Sequence, residues 1–186
     1  MGKGKRSKAK GNEYENRIAK VFSEWWGLTF RRTPASGGLD WPGDIILPEG
    51  AWQSKFPFCI ECKNSQAWSL KNIFTGKGKI WENWEQSMNE TPAGYYPILI
   101  FTKNFHRDYF MMKKEDWDNL DSWVGCSEVV SIFIEVSSKK TSYNVIVGSF
   151  NELLAVDVGI FKDYLKDNGP NFGNKFYYMH SKEEGS

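Results

Sequence analysis

The sequence predicts a single α/β domain with a mixed central β-sheet flanked by helices. Three observations predict it. Apolar periodicities run in the order helix, three strands, helix, then further strands, which lays helices over the faces of a sheet. The 186 residues suffice for one sizeable core and are too few for two large ones. No stretch rich in Pro, Gly or Ser reads as an interdomain linker, and no internal repeat is present. The expected layout is a basic flexible tail over 1–11 and one domain over 12–186, with its core over about 12–125 and an extension over about 126–186.

The elements follow in order. Residues 12–26 read as an amphipathic helix, with Ile18, Ala19, Phe22, Trp25 and Trp26 at helical spacing and Gly27 as the stop. Residues 28–33 read as a short strand, and Pro34-Ala35-Ser36-Gly37-Gly38 as a loop. A strand over 44–47 stops at Pro48-Glu49-Gly50 and should form a hairpin with a strand over 58–63. Residues 70–89 are helical in pattern, interrupted at Gly76-Lys77-Gly78. Residues 96–102 look like a buried strand, 109–112 like another, and 115–120 like a short helix. Strands over 129–136 and 143–147 suggest a hairpin across 137–142, while the segment from 168 takes no assignment.

Composition excludes several classes. Nine Trp, 8 Tyr and 13 Phe are far more aromatics than a wholly disordered chain carries. The longest apolar run, Ile98-Leu99-Ile100-Phe101, is too short to span a membrane, and no apolar segment follows the basic start as in a secretory signal. Three cysteines point to a reducing compartment, hence the cytoplasm. The net charge of +1 hides an asymmetry, because Lys3, Lys5, Arg6, Lys8 and Lys10 put +5 on the first ten residues and leave −4 on the rest. That tail reads either as a solubilising terminus or as an arm lying on nucleic-acid phosphates.

The chemistry centres on Glu61-Cys62-Lys63. In a strand, Glu61, Lys63 and Cys59 share one face, and Phe58, Ile60 and Cys62 take the other, which should pack on a helix. By itself Glu61–Lys63 reads as an ion pair on a sheet face. Asp44 alone reads as a turn-capping residue after Pro42-Gly43. If the two strands pair, however, Asp44 approaches Glu61, and two carboxylates brought together stay protonated unless a cation lies between them. Oxygen donors of this kind suit Mg²⁺ or Mn²⁺. Glu15 lies at the N-terminal end of the stripe Ile18, Ala19, Phe22, Trp26, so it points towards the sheet. It would meet either a partner in a cleft or the favourable dipole of the first helical turn.

Other features read more plainly. Cys59 and Cys62 are three apart in a strand and face opposite ways, which disfavours zinc. Gly76-Lys77-Gly78-Lys79 lacks the P-loop ending, so no nucleotide cofactor is expected, although Lys77 and Lys79 are candidates for backbone phosphate contact. Trp68, Trp81 and Trp84 read first as packing residues and second as base-stacking platforms.

The ordered set Lys10-Gly11-Asn12-Glu13-Tyr14-Glu15, Arg32-Thr33-Pro34-Ala35-Ser36-Gly37, Pro42-Gly43-Asp44-Ile45-Ile46 and Ile60-Glu61-Cys62-Lys63 resembles the PD-(D/E)XK nuclease superfamily. Within it the chain is similar to the archaeal-type Holliday junction resolvases and their phage relatives, over roughly residues 10–120. It departs from the pattern in two places, with Gly43 inserted between Pro42 and Asp44 and with a long loop over 47–56. The resemblance implies a restriction-endonuclease-like core and a Mg²⁺-dependent endonuclease, Mn²⁺ substituting. Asp44, Glu61 and the Cys62 main-chain carbonyl would hold the metal, with Glu15 completing the acidic site. Lys63 would position or help deprotonate water, or neutralise the scissile phosphate. Ser36 would touch that phosphate, Arg31 and Arg32 would clamp DNA, and Gln86 stands where related nucleases often carry a polar residue. The expected partner is branched double-stranded DNA, cut on two symmetric strands by a homodimer. The alternatives are a nuclease of this fold with another DNA substrate and a non-catalytic DNA-binding protein.

Overall fold

The structure is a computed structural model, and it describes residues 3–34, 42–47, 56–103, 106–124, 129–136 and 141–168. It opens with one long helix, Lys3–Trp26 (α1). Tyr14, Ile18, Ala19, Phe22 and Trp26 bury a single stripe of it against the sheet. The helix starts well ahead of residue 12, so the segment expected to be a flexible tail is helical from Lys3. The reason lies in helix cooperativity. Once the packed stripe has nucleated the helix, each upstream residue adds a hydrogen bond at little cost, and Lys, Arg and Ala are good formers.

Seven strands make one sheet. They are Arg31–Arg32 (β1), Ile45–Ile46 (β2), Phe58–Asn64 (β3), Tyr96–Thr102 (β4), Tyr109–Lys113 (β5), Val129–Val136 (β6) and Thr141–Ser149 (β7), in the order β1-β2-β3-β4-β5-β7-β6. Only β3 and β4 pair in parallel; the other neighbours are antiparallel, so the sheet is mixed as expected. The predicted β2–β3 hairpin forms, with Ile45 opposite Ile60. The first strand is shorter than expected. The Phe30 N–H bonds the Ser23 hydroxyl of α1 at 2.9 Å, which draws the chain onto the helix rather than into the ladder.

The parallel β3–β4 step is bridged by Leu70–Thr75 (α2) and Lys79–Glu90 (α3). Their break falls at Gly76-Lys77-Gly78, where Gly76 takes a left-handed φ of 65° to cap α2. A Cβ on Gly76 would lie 2.4 Å from Ile134 Cγ2, so the turn depends on glycine for space as well. Lys114–Val124 (α4) follows β5. Phe150–Leu154 (α5) and Val158–Asn168 (α6), which the sequence reading left unassigned, close the fold.

The sheet lies between two helical layers with separate cores. On one face Ile60, Cys62, Ile98, Ile100, Phe110 and Met112 meet the stripe of α1, Trp117 of α4, Phe150 of α5, and Phe161 and Leu165 of α6. On the other, Leu99, Phe101 and Met111 meet Ile73 of α2 and Ile80, Trp81 and Trp84 of α3. Strand alternation divides neighbouring residues between the two cores. Trp68, Trp81 and Trp84 are all buried packing residues, not base-stacking platforms. Strands β6 and β7 and helices α5 and α6, beyond the segment that carries the motifs, belong to this same sheet and core. No helix among the described residues is long and apolar enough to cross a membrane.

Ile100 is wholly buried on the central parallel pair, where helices on both sides prevent collapse of a cavity. Ile100→Ala should destabilise the protein by about 2–5 kcal/mol in chemical denaturation; a change near zero would contradict this packing.

Candidate active site

The site is assembled around one short antiparallel contact. The Asp44 N–H donates to the Ile60 carbonyl at 2.7 Å, and the Asp44 carbonyl accepts from the Thr33 N–H at 2.9 Å. Asp44 is thereby held on both sides between the β1 end and β3. Its side chain completes the attachment, because Oδ2 accepts from the Cys62 N–H at 2.8 Å. Thr33 Oγ1 also donates to the Gly43 carbonyl at 2.8 Å.

Gly43, a departure from the compact pattern, has a physical role here. Its φ is 74°, and a Cβ there would lie 2.6 Å from the Ile60 carbonyl oxygen. Only glycine allows the chain to pass this close to β3 and deliver Asp44 to Cys62.

Glu61 occupies the face of β3 opposite Ile60 and Cys62, but that face is not a wet one. Glu61 is 3% exposed. Burial pushes its carboxyl up to about 7, helped by the nearby Asp44 charge and opposed by Lys63. Burial raises Asp44 as well, against the opposing influence of Lys63 and the Cys62 N–H. Lys63 Nζ donates to Glu61 Oε1. Burial alone would lower the lysine, yet Glu61 and Asp44 outweigh it and keep the ammonium more firmly protonated than usual.

Glu15 comes within electrostatic reach of Asp44 and is raised by burial and then by Asp44. Since α1 starts at Lys3, Glu15 is not in a first turn, and the helix-dipole explanation does not apply to it. Its partner is Arg32, with NH1 at 3.7 Å from Oε2. Of the three acids, Asp44 acts electrostatically on both Glu61 and Glu15, and Glu15 is held by an arginine. Among the described residues no three His, Cys, Asp or Glu side chains already form a metal cage.

The remaining expected residues divide by place. Arg31 is exposed beside the site, and Lys8 and Lys10 lie on α1. Lys3, Lys5 and Arg6 fall in the first turns of α1. Lys77 and Lys79 lie at the far end of α3 from the carboxylates, roughly 16 Å along the helix axis, and are not brought to the site. Lys79 pairs with Glu82 at 2.8 Å. Ser36 lies outside the described residues. Gln86 does not reach the carboxylates; its Nε2 donates to Glu90 Oε1 at 3.0 Å. Glu90, which the sequence reading passed over, is the acid whose charge reaches both Asp44 and Glu61. Its signal was position, one helical turn after Gln86 at the end of α3 that returns to β3 and β4.

The donor set fits a hard divalent cation. Asp44 and Glu61 are two oxygen donors held in mutual repulsion, and a cation would relieve the burial that now favours their protonated forms. Cys62 is bound through its main chain to Asp44, and its thiol is buried in the helix-side core, so only its carbonyl could contribute. Cys59 lies on the other face with its thiol pushed up to about 12 by burial, which makes it a poor metal ligand.

A family model described as "phage putative PDDEXK endonuclease" matches residues 6–163. The chain belongs to that family. No curated protein and no solved structure gives a significant match. In this PDDEXK nuclease the matched span contains Asp44, Glu61 and Lys63, the residues that the β2–β3 contact brings together. The match also extends through β6, β7 and into α6, beyond the segment in which the motifs lie.

Two outcomes follow. Glu61 binds a proton more tightly folded than unfolded, so the metal-free protein should lose stability as pH rises from about 4.5 towards 7, by up to about 1.4 kcal/mol per pH unit. Urea denaturation across that window should show Glu61→Gln flattening the decline, and an unchanged slope would contradict the burial of this carboxyl. Gly43→Ala should cost about 1–3 kcal/mol and reduce nuclease turnover at least about tenfold, because the backbone must retreat from Ile60. Wild-type turnover in Gly43→Ala would show that the close approach is dispensable.

Proposed function

We propose that this PDDEXK endonuclease is a metal-dependent, structure-selective DNA endonuclease that resolves four-way junctions by paired hydrolysis, acting as a homodimer in the cytoplasm, that of the host if it is phage-encoded. The observation that carries the reading is a buried carboxylate, Glu61, beside a partly buried one, Asp44, and an ammonium, Lys63. Asp44, Glu61 and the Cys62 carbonyl would hold Mg²⁺ or Mn²⁺. That ion, when bound, supplies a lowered water pKa and a counter-charge for the phosphate.

The chain's own residues have separable tasks. Lys63 stays protonated beside Glu61, so its part is electrostatic stabilisation of developing phosphate charge rather than proton abstraction. Arg32 pairs with Glu15 and positions it, while the exposed Arg31 would meet the DNA backbone. Ser36 is assigned to the phosphate by the motif alone. The net-negative body concentrates DNA contact on the basic start of α1 and on the arginines around the carboxylates.

Four-way junctions are the substrate supported by the ordered motifs, and the near-twofold symmetry of two strands to be cut calls for two identical sites. The test is a labelled four-way junction beside nicked, flap and linear duplexes, with Mg²⁺, Mn²⁺ or Ca²⁺. Paired symmetric nicks near the branch point with Mg²⁺ or Mn²⁺, and binding without nicking in Ca²⁺, are expected. Asp44→Asn and Glu61→Gln should each lower cutting by at least about 10³-fold while junction binding persists. Preferential cutting of linear duplex would move the substrate to another DNA structure. Undiminished cutting in either variant would remove these carboxylates from the chemistry.

A further inference from the structure

A second cleft, of about 320 Å³, opens at the carboxyl ends of β3 and β4, one residue beyond Lys63. Its floor is Asn64 and Thr102, partners in the parallel register. Lys10, Glu13, Tyr14 and Arg17 line one wall, spaced by three and four along α1 so that they share a face. Lys103 and His106 line the other.

The charges in this cleft are not equivalent. Arg17 forks onto Asp108 at 2.7 and 2.8 Å, and Tyr14 donates to the same carboxylate at 3.3 Å. That group is neutral as a unit and clamps α1 to the segment entering β5. Thr102 Oγ1 is likewise occupied, on the carbonyls of Lys103 and Arg107 at 3.1 Å each. The groups left over are the ammonium ions of Lys10 and Lys103, neither ion-paired to an acid among the described residues, against the single carboxylate of Glu13. Lys103 Nζ is held 5.3 Å over the Trp68 ring, a support that restrains it without neutralising it. At the floor, Asn64 Oδ1 is buried and has no hydrogen-bond partner among the described residues. A buried acceptor of that kind takes a water, which can bridge to an anion.

We propose that this cleft binds a backbone phosphate of the DNA strand, next to the phosphate that is cut, through Lys10 and Lys103 with His106 at its rim. The site rests on the nuclease reading above and names how the strand is held past Lys63. The ligand is a phosphodiester; the same ammonium pair could hold free phosphate, and the experiment separates the two.

The full-length protein is titrated with a fluorescent four-way junction in Ca²⁺ at a series of salt concentrations. Lys103→Ala and Lys10→Ala should each weaken binding about tenfold, the loss of one charge-assisted hydrogen bond. Each should also make the log–log salt slope shallower by about 0.9. Lys103→Arg should restore affinity and slope. Lys20→Ala, which removes a charge from the exposed face of α1 where it pairs with Glu24 at 3.8 Å, should behave as wild type. Lys103→Ala and Lys10→Ala slopes indistinguishable from Lys20→Ala would overturn the site. Phosphorus NMR showing wild-type-specific binding of inorganic phosphate, with DNA slopes unchanged in the variants, would also overturn it as a DNA contact. If the wild type fails to cut while the slope changes persist, the nuclease reading falls and the cleft stands as a DNA-backbone site. If the wild type cuts and the slopes do not change, the cleft falls alone. Absence of both cutting and DNA binding would remove both.

Discussion

Two carboxylates and an ammonium are held together at the sheet of this protein, Glu61 almost fully buried and Asp44 and Lys63 partly so. Asp44 and Glu61 each lose solvation, and the Asp44 charge adds to the cost of ionising Glu61. Lys63 offsets part of that cost and becomes harder to deprotonate in return. An arrangement of this kind is unfavourable as a stabilising device, since apolar side chains would fill the same volume more cheaply. It is reasonable as a receptor for positive charge. The rest of the fold can be understood as what keeps these three groups in place.

That support is mostly backbone and packing. The parallel β3–β4 pair, covered by helices on both faces, forms a rigid base for Glu61 and Lys63. Gly43 brings the preceding segment into contact with Ile60, and the Cys62 N–H fixes the Asp44 carboxylate. Arg32 ties Glu15 of α1 to the strand that leads into the same place. On the other side of the sheet α3 carries Glu90 back towards the carboxylates and holds it with Gln86. The two helical layers thus supply one acid each around the pair on the sheet, and a pattern confined to one element could not have produced it.

Much of this was legible in the residues. Alternation along 58–63 separated Glu61 and Lys63 from Phe58, Ile60 and Cys62, and pleat geometry makes that separation unavoidable. The break at Gly76-Lys77-Gly78 and both later strands were equally local in origin. What escaped was non-local. The pairing of β7 with β5, which draws β7 and β6 into the main sheet, depends on contacts far apart along the chain. The early start of α1 depends on cooperativity with a stripe several turns away. The helices α5 and α6 are signalled weakly, by Phe150 with Leu153 and by Phe161 with Leu165, and they become clear only once a core exists for them to cover. In the site, the approach of Asp44 to β3 could be foreseen from the hairpin. The Glu15–Arg32 bond and the arrival of Glu90 could not, because both need the helices placed over the sheet.

The most direct measurement is an anomalous difference map from crystals of this protein soaked in manganese. A peak within ligand distance of both the Asp44 and Glu61 carboxylates, absent from crystals of Asp44→Asn, is the result that the account requires. A saturating soak that leaves those two oxygens uncoordinated, with Lys63 still bound to Glu61 and manganese only elsewhere, would contradict it.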